Sequence, residues 1–178
     1  IFISLDCAAS EFFDGKNYIL NATDETFSSD GLVDYYVKLI KKFDIKSIED
    51  PLHEDDWDGW IKLTRELIGV QIVGDDIFVT QKELLKKGID SHAGNAILIK
   101  PNQVGTLTES LESIQLAKEN KFNTIISHRS GETEDPFIAD LAVGVDAKQI
   151  KTGAPSRSDR NSKYNRLLII ENELYPNK

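Results

Sequence analysis

Six short apolar or β-branched runs recur along this chain at nearly even spacing: IFISLD, IKSIED, VQIVGDD, AILIK, NTIISH and KQIKTG. Between their central residues Leu5, Ile48, Ile72, Leu98, Ile126 and Ile150 the gaps are 43, 24, 26, 28 and 24 residues. Every gap but the first has room for one helix and two short loops between strands. The gaps also carry helical patterns. In GLVDYYVKLIKKF, residues Leu32, Val33, Tyr36, Leu39, Ile40 and Phe43 follow the spacing of one buried helix face. DDWDGWIKLTRELIG places Trp57, Trp60, Ile61, Thr64, Leu67 and Ile68 in the same way, with Gly69 as C-cap. Thr106 and Glu109 have the spacing of a capping box, Asp135-Pro136 offers an N-cap followed by a first-turn proline, and SDRNSKYNRLLIIENEL reads as a closing amphipathic helix.

Near-continuous apolar strands alternating with such helices predict a parallel sheet covered by helices, an α/β fold. A doubly wound sheet would carry a glycine-rich phosphate turn after its first strand, and none is present. The pattern fits a TIM-type (β/α) barrel, which needs eight strand–helix units and about 250 residues. This chain supplies six units in 178 residues, so the expected fold is an incomplete barrel. The chain has no methionine and opens inside a strand-like run, which reads as a chain cut within a domain.

Each strand hands over to charged or polar groups. The first ends at Asp6, the second at Glu49-Asp50-Pro51, the third at Asp75-Asp76, and the fourth at Lys100, directly after four apolar residues. The fifth leads into SHRSGET and the sixth into Lys151-Thr152-Gly153. In a barrel all these ends lie on the face where active sites are built. Any one of them could be an ordinary cap, turn or snorkelling side chain, but together three acids and two lysines reach one rim. Three converging carboxylates repel unless a cation joins them, and an all-oxygen set suits Mg²⁺ better than zinc. Crowded by a metal and by Lys151, Lys100 is suited to act as a general base. Arg129 offers a fork for phosphate or carboxylate, and His128 a hydrogen bond to an anionic ligand. His53 and His92 read as solvated loop residues.

Composition narrows the function further. A net charge of −9 argues against a nucleic-acid surface, and no apolar run is long enough to span a bilayer. A single cysteine, Cys7, excludes an internal disulfide and points to the reducing cytoplasm.

The segments LDCAASEFF, SIEDP, VGDD, LIKPNQVGTLTE, SHRSGETEDPFIADLAVG and QIKTGAPSRSDRNSKYN resemble the enolase family, in that family's order. The resemblance covers essentially the whole chain. It implies that residues 1–178 are the C-terminal part of a barrel domain, lacking the family's N-terminal α+β domain and first barrel strands. It implies Mg²⁺-dependent dehydration of 2-phosphoglycerate to phosphoenolpyruvate, a glycolytic lyase reaction on a small phosphorylated hydroxy acid. Asp6, Glu49 and Asp75 match the metal ligands, and Lys100 matches the base. Glu49, His128, Arg129, Ser130 and Lys151 fall among the substrate-binding positions. Muconate-cycloisomerase relatives share acids and lysines on barrel strands, but SHRSGETED does not fit them. Pro101 and Pro136 depart from the common pattern beside functional residues without replacing one.

The family's acid glutamates lie outside the region represented here, and nothing marks Glu11, Glu132 or Glu134 as a substitute. This chain alone is therefore expected to be inactive, the alternative being a non-catalytic core or surface-binding fragment. Family members are cytoplasmic, also found at cell surfaces, and dimeric when complete. Two open sheet edges would invite pairing in a shortened form.

Overall fold

The computed structural model describes residues 1–176. All six apolar runs are strands: β1 (Ile3–Asp6), β4 (Ile45–Glu49), β5 (Gln71–Gly74), β6 (Ala96–Ile99), β7 (Asn123–Ser127) and β8 (Lys148–Lys151). They form one parallel sheet in the order β1-β4-β5-β6-β7-β8. The helices are α1 (Ser29–Phe43), α2 (Trp57–Glu66), α3 (Lys82–Ser91), a short α4 (Pro101–Val104), α5 (Leu107–Glu119), α6 (Phe137–Gly144) and α7 (Ser158–Leu174). None of them is long and apolar enough to cross a membrane.

The sheet curls. Strands five steps apart in a flat sheet would be separated by about 24 Å. Yet Lys151 of β8 bonds Asp6 of β1 through a 2.6 Å contact. Gln71 of β5 likewise donates to Gln149 of β8 at 3.0 Å. Only a sheet bent towards closure allows both contacts, so this is six strands of a (β/α) barrel.

Side chains alternate between the two faces of the sheet. Val73, Ala96, Leu98 and Ile125 form a small inner cluster. Their neighbours Ile72, Ile97, Ile99 and Ile126 point outward into the larger core beneath the helices, with Trp60, Leu63, Phe78 and Leu85. Each such side chain, fully buried, contributes about 1.5–3 kcal/mol. Gly74 and Gly88 lie against the Phe78 ring, so a Cβ at either position would meet it and α3 could not seat on β5.

Local signals set four of the helix starts. Ser28 accepts from the Gly31 N–H, Asp56 from that of Gly59, and Thr106 from that of Glu109, the last as its spacing predicts. Asp135 accepts from the Phe137 N–H, so α6 starts one residue later than expected, with Pro136 at the cap. Three readings are corrected by tertiary packing. Ile68, assigned to the buried face of α2, lies beyond the helix end and is 91% exposed. The long first gap holds, besides α1, a 3₁₀ turn (Ala9–Phe12) and an antiparallel hairpin of β2 (Tyr18–Leu20) and β3 (Glu25–Phe27). Helix α7 buries Arg160, Lys163 and Ile170 while exposing Leu168 and Ile169, so its inward face is largely cationic.

Candidate active site

The outward side chains on each strand fix which residues point into the barrel. Ile48 and Ile72 face the helices, so Glu49 and, two residues beyond Val73, Asp75 share the inward parity. Lys100 follows the inward pair Ala96 and Leu98 by the same count, and Asp6 and Lys151 alternate with Leu5 and Ile150, which pack on the outer core. Five charged groups therefore face one mouth because the alternation of two runs to the last residue of β1, β4 and β8 and one step past β5 and β6.

Lys151 Nζ donates to Asp6 Oδ2 at 2.6 Å and to Glu49 Oε1 at 2.7 Å, placing the two carboxylates on either side of one ammonium. Asp6 and Glu49 are also register partners across β1 and β4. These three residues, with Gln71, Gln149 and Ile125, line a cavity of about 550 Å³ on the concave side of the sheet. Burial pushes the Glu49 carboxyl up, against the opposing pull of Lys151. Burial pushes Lys151 down, but the hydrogen bonds and charges of Asp6 and Glu49 outweigh it and raise it above the usual lysine value.

Next to them, Lys100 Nζ bonds Asp75 Oδ2, and Gln103 Nε2 donates to Asp75 Oδ1 at 3.3 Å. The Lys100 backbone N–H is fixed by Thr80 Oγ1 at 2.9 Å, and the same hydroxyl donates to Gln103 Oε1 at 2.6 Å. Gln103 and Thr80 are thus parts of the site that strand-end reasoning missed. The signal for Gln103 was its position one helical turn past Lys100.

Among the described residues the tightest group of carboxylate oxygens is Asp50, Asp75 and Asp76, within 4.8 Å of one another. Only Asp75 belongs to the expected set of Asp6, Glu49 and Asp75. Asp50 is already occupied: its two oxygens accept the Asp75 and Asp76 backbone N–H groups at 2.8 and 3.0 Å. Burial outweighs these bonds and pushes its carboxyl up to about 8. Asp50 therefore serves as a brace for the loop that presents Asp75. Burial, reinforced by Asp75, also raises the Asp76 carboxyl. The donor chemistry of Asp6, Glu49 and Asp75, three carboxylates on neighbouring strand ends β1, β4 and β5, fits a hard divalent cation.

The loop after β7 brings the remaining residues to the same end. The His128 N–H donates to the Lys151 carbonyl at 2.9 Å, extending the β7–β8 ladder, but its parity is outward and its ring bonds Arg160 of α7. Arg129 and Ser130 are exposed, and Arg129 donates to Asn102 Oδ1 at 3.1 Å. His92 is an exposed cap residue, as expected of a loop histidine. His53 is more engaged than that: its Nδ1 accepts from the Asp55 N–H at 3.1 Å and its ring lies 4.7 Å from Phe13.

Comparison with known proteins agrees with this architecture. A family model described as "Enolase, C-terminal TIM barrel domain" matches residues 1–177. The chain belongs to the enolase family. An enolase from Natranaerobius thermophilus is 53% identical over 176 residues, 98% of this chain. The chain spans 41% of the length of that enolase. The partial barrel and its charged strand ends thus belong to an enolase C-terminal domain.

Proposed function

We propose that this chain is the barrel part of a Mg²⁺-dependent lyase that interconverts 2-phosphoglycerate and phosphoenolpyruvate. The observation that carries the reading is the meeting of Asp6 and Lys151, from opposite edges of the curled sheet, with Glu49 of β4, beside the Asp75–Lys100 pair. Asp6, Glu49 and Asp75 would hold the metal. When bound, Mg²⁺ supplies positive charge against the negative charge that grows on the substrate carboxylate.

Lys100 removes the proton from the carbon next to that carboxylate. Lys100, whose Nζ is held at the mouth by Asp75, would act as the base in its neutral amine form. Lys151 sits where it can neutralise a substrate carboxylate once it shares Asp6 and Glu49 with a cation. Arg129, exposed beside Lys100's helix turn, and Ser130 would grip the phosphate, and His128 would donate a hydrogen bond on the same side. Departure of hydroxide needs an acid, a role we assign to none of Glu11, Glu132 and Glu134 of this chain. Glu132 is committed to Lys163, so the acid comes from another part of the complete enzyme. From membership of the family we further propose that the complete enzyme is a cytoplasmic homodimer, that this chain alone is inactive, and that the β1 and β8 edges are where the barrel is completed.

The test is a continuous assay of phosphoenolpyruvate formation with Mg²⁺, run on the purified chain and again after adding the separately made N-terminal portion of an enolase. Activity only in the mixture, lost in Lys100→Ala, supports the assignment. Full activity from the chain alone would make Glu11, Glu132 or Glu134 the acid and sink the division of labour proposed here.

A further inference from the structure

Helix α7 turns two cations inward, and one of them sits on the histidine of the rim. Arg160 is only 5% exposed. Its Nη1 bonds His128 Nδ1 and donates to the Arg129 carbonyl at 2.9 Å; its Nη2 donates to the Ser130 carbonyl at 3.0 Å. Its Nε lies 3.2 Å from Asp159 Oδ2, which balances the charge. A guanidinium has five N–H donors and no acceptor, so the ring nitrogen facing it must accept. The proton of a neutral His128 then belongs on Nε2.

We propose that Arg160 is a positioning residue that fixes His128 as the neutral Nε2–H tautomer and pins the backbone of Arg129 and Ser130 beside it. Three successive residues of the rim loop are thereby set by one buried side chain. The loop after β8 closes over the pair: a Cβ at Gly153 would lie 3.0 Å from Arg160 Cδ and 3.2 Å from His128 Cε1.

The charges around the ring act in the same direction. Burial first, then Arg160 of α7, Lys151 of β8 and, more weakly, Lys100 after β6 disfavour the imidazolium, while Glu132 of the same loop favours it. Glu132 is itself engaged by Lys163 of α7, and the balance holds His128 below the ordinary histidine value. The loop thus carries a neutral ring with one N–H donor rather than a further cation. That this donor serves an anionic substrate rests on the function proposed above; the tautomer does not.

The experiment is long-range ¹H–¹⁵N NMR of the ¹⁵N-histidine-labelled chain, titrated without substrate, with His128 assigned from the spectrum of His128→Asn. The expected result is an unprotonated Nδ1, a protonated Nε2 and a midpoint below the ordinary value. Arg160→Gln, which keeps an uncharged donor, should retain the tautomer but move the midpoint up. Arg160→Met should give a mixture of tautomers as well as the upward shift. A wild-type His128 protonated on Nδ1, or titrating at the ordinary value, overturns the proposal without any variant. So do folded Arg160 variants whose tautomer and midpoint match wild type, since Arg160 would then be a structural strap alone. Should a variant fail to fold, the wild-type spectrum still decides the tautomer and the midpoint.

Discussion

Lys163 in α7 and Lys100 after β6 each set an ammonium against a carboxylate, yet they differ in how many acceptors surround them. An ammonium has three donors. Lys163, with 1% of its side chain exposed, directs them at Glu132 Oε2 (2.8 Å), the Thr133 carbonyl (2.5 Å) and the Asp159 carbonyl (2.7 Å). Lys151 has two carboxylate partners, and Lys100, among the described residues, has Asp75 alone for its Nζ. A buried charge with every donor satisfied is a staple between loop and helix, because no ligand can improve its surroundings. An incompletely partnered ammonium at an open mouth can still exchange its partner for a substrate. The gradient from Lys163 to Lys100 therefore sets a structural lysine against the one proposed to act chemically.

The sharpest way to break this contrast is Lys100→Ala in the completed enzyme. Phosphoenolpyruvate formation should fall by about 10²–10⁴ or more, the contribution typical of a positioned base, while the urea midpoint of the chain moves less than in Lys163→Met, because Asp75 keeps Gln103 as a donor. A collapse in stability instead would make Lys100 a staple too. Next comes Lys163→Met, expected to cost about 3–5 kcal/mol in urea unfolding, because it strands the Glu132 carboxylate, which is only 16% exposed. In a double-mutant cycle, much of that loss should disappear when Glu132→Gln is already present.

The proposed metal site gives the third test. Mg²⁺ at a hundred times its dissociation constant should raise the chain's stability by about 2.7 kcal/mol, reversed by EDTA and absent in Asp75→Asn. No stabilisation in the wild type would remove Asp6, Glu49 and Asp75 as a cation set.

Acidification offers a smaller effect. Burial pushes the Glu132 carboxyl up, but hydrogen bonds from Lys163 and from the Arg129 N–H outweigh it and hold it below the usual 4.5. A carboxyl lowered on folding stabilises the protein above its unfolded value and stops doing so as pH falls through the folded one. The urea-midpoint difference between wild type and Glu132→Gln should therefore be full near pH 7 and shrink below about 4.5. A difference that does not change with pH would mean that the carboxylate charge is not what Lys163 reads. At the bottom of the scale stands the exposed i,i+4 pair of Lys86 and Asp90 on α3. Lys86→Ala should change stability by less than about 0.5 kcal/mol.

The readable parts of this protein were local ones. The six strands, the cap at Thr106, and the charged residues after each strand all follow from patterns a few residues long. The hairpin of β2 and β3 was hidden because three-residue strands leave almost no alternation. It is held by contacts such as the Phe13 ring against Tyr18, 4.8 Å apart, and the Tyr18 hydroxyl donating to Asp56 Oδ2 at 2.8 Å. Asp50 read as a turn residue because its role, bracing two amides 25 and 26 residues away, exists only once β4 and β5 pair. Helix α7 read as amphipathic from its Leu and Ile residues, yet Arg160 and Lys163 were drawn inward by carbonyls and a carboxylate that only the folded loop supplies.

By itself the sequence determined the kinds of element, their order, and which chemical groups would stand at the strand ends, because alternation, helical spacing and capping act over a single turn or strand. Tertiary structure decided which of those groups meet. Asp6 and Lys151 are 145 residues apart, and their contact depends on the curl accumulated over five strand pairings. The same folding decided which lysine is saturated and which is left with one partner, since the acceptors around Lys163 come from a loop and a helix that no local pattern ties together.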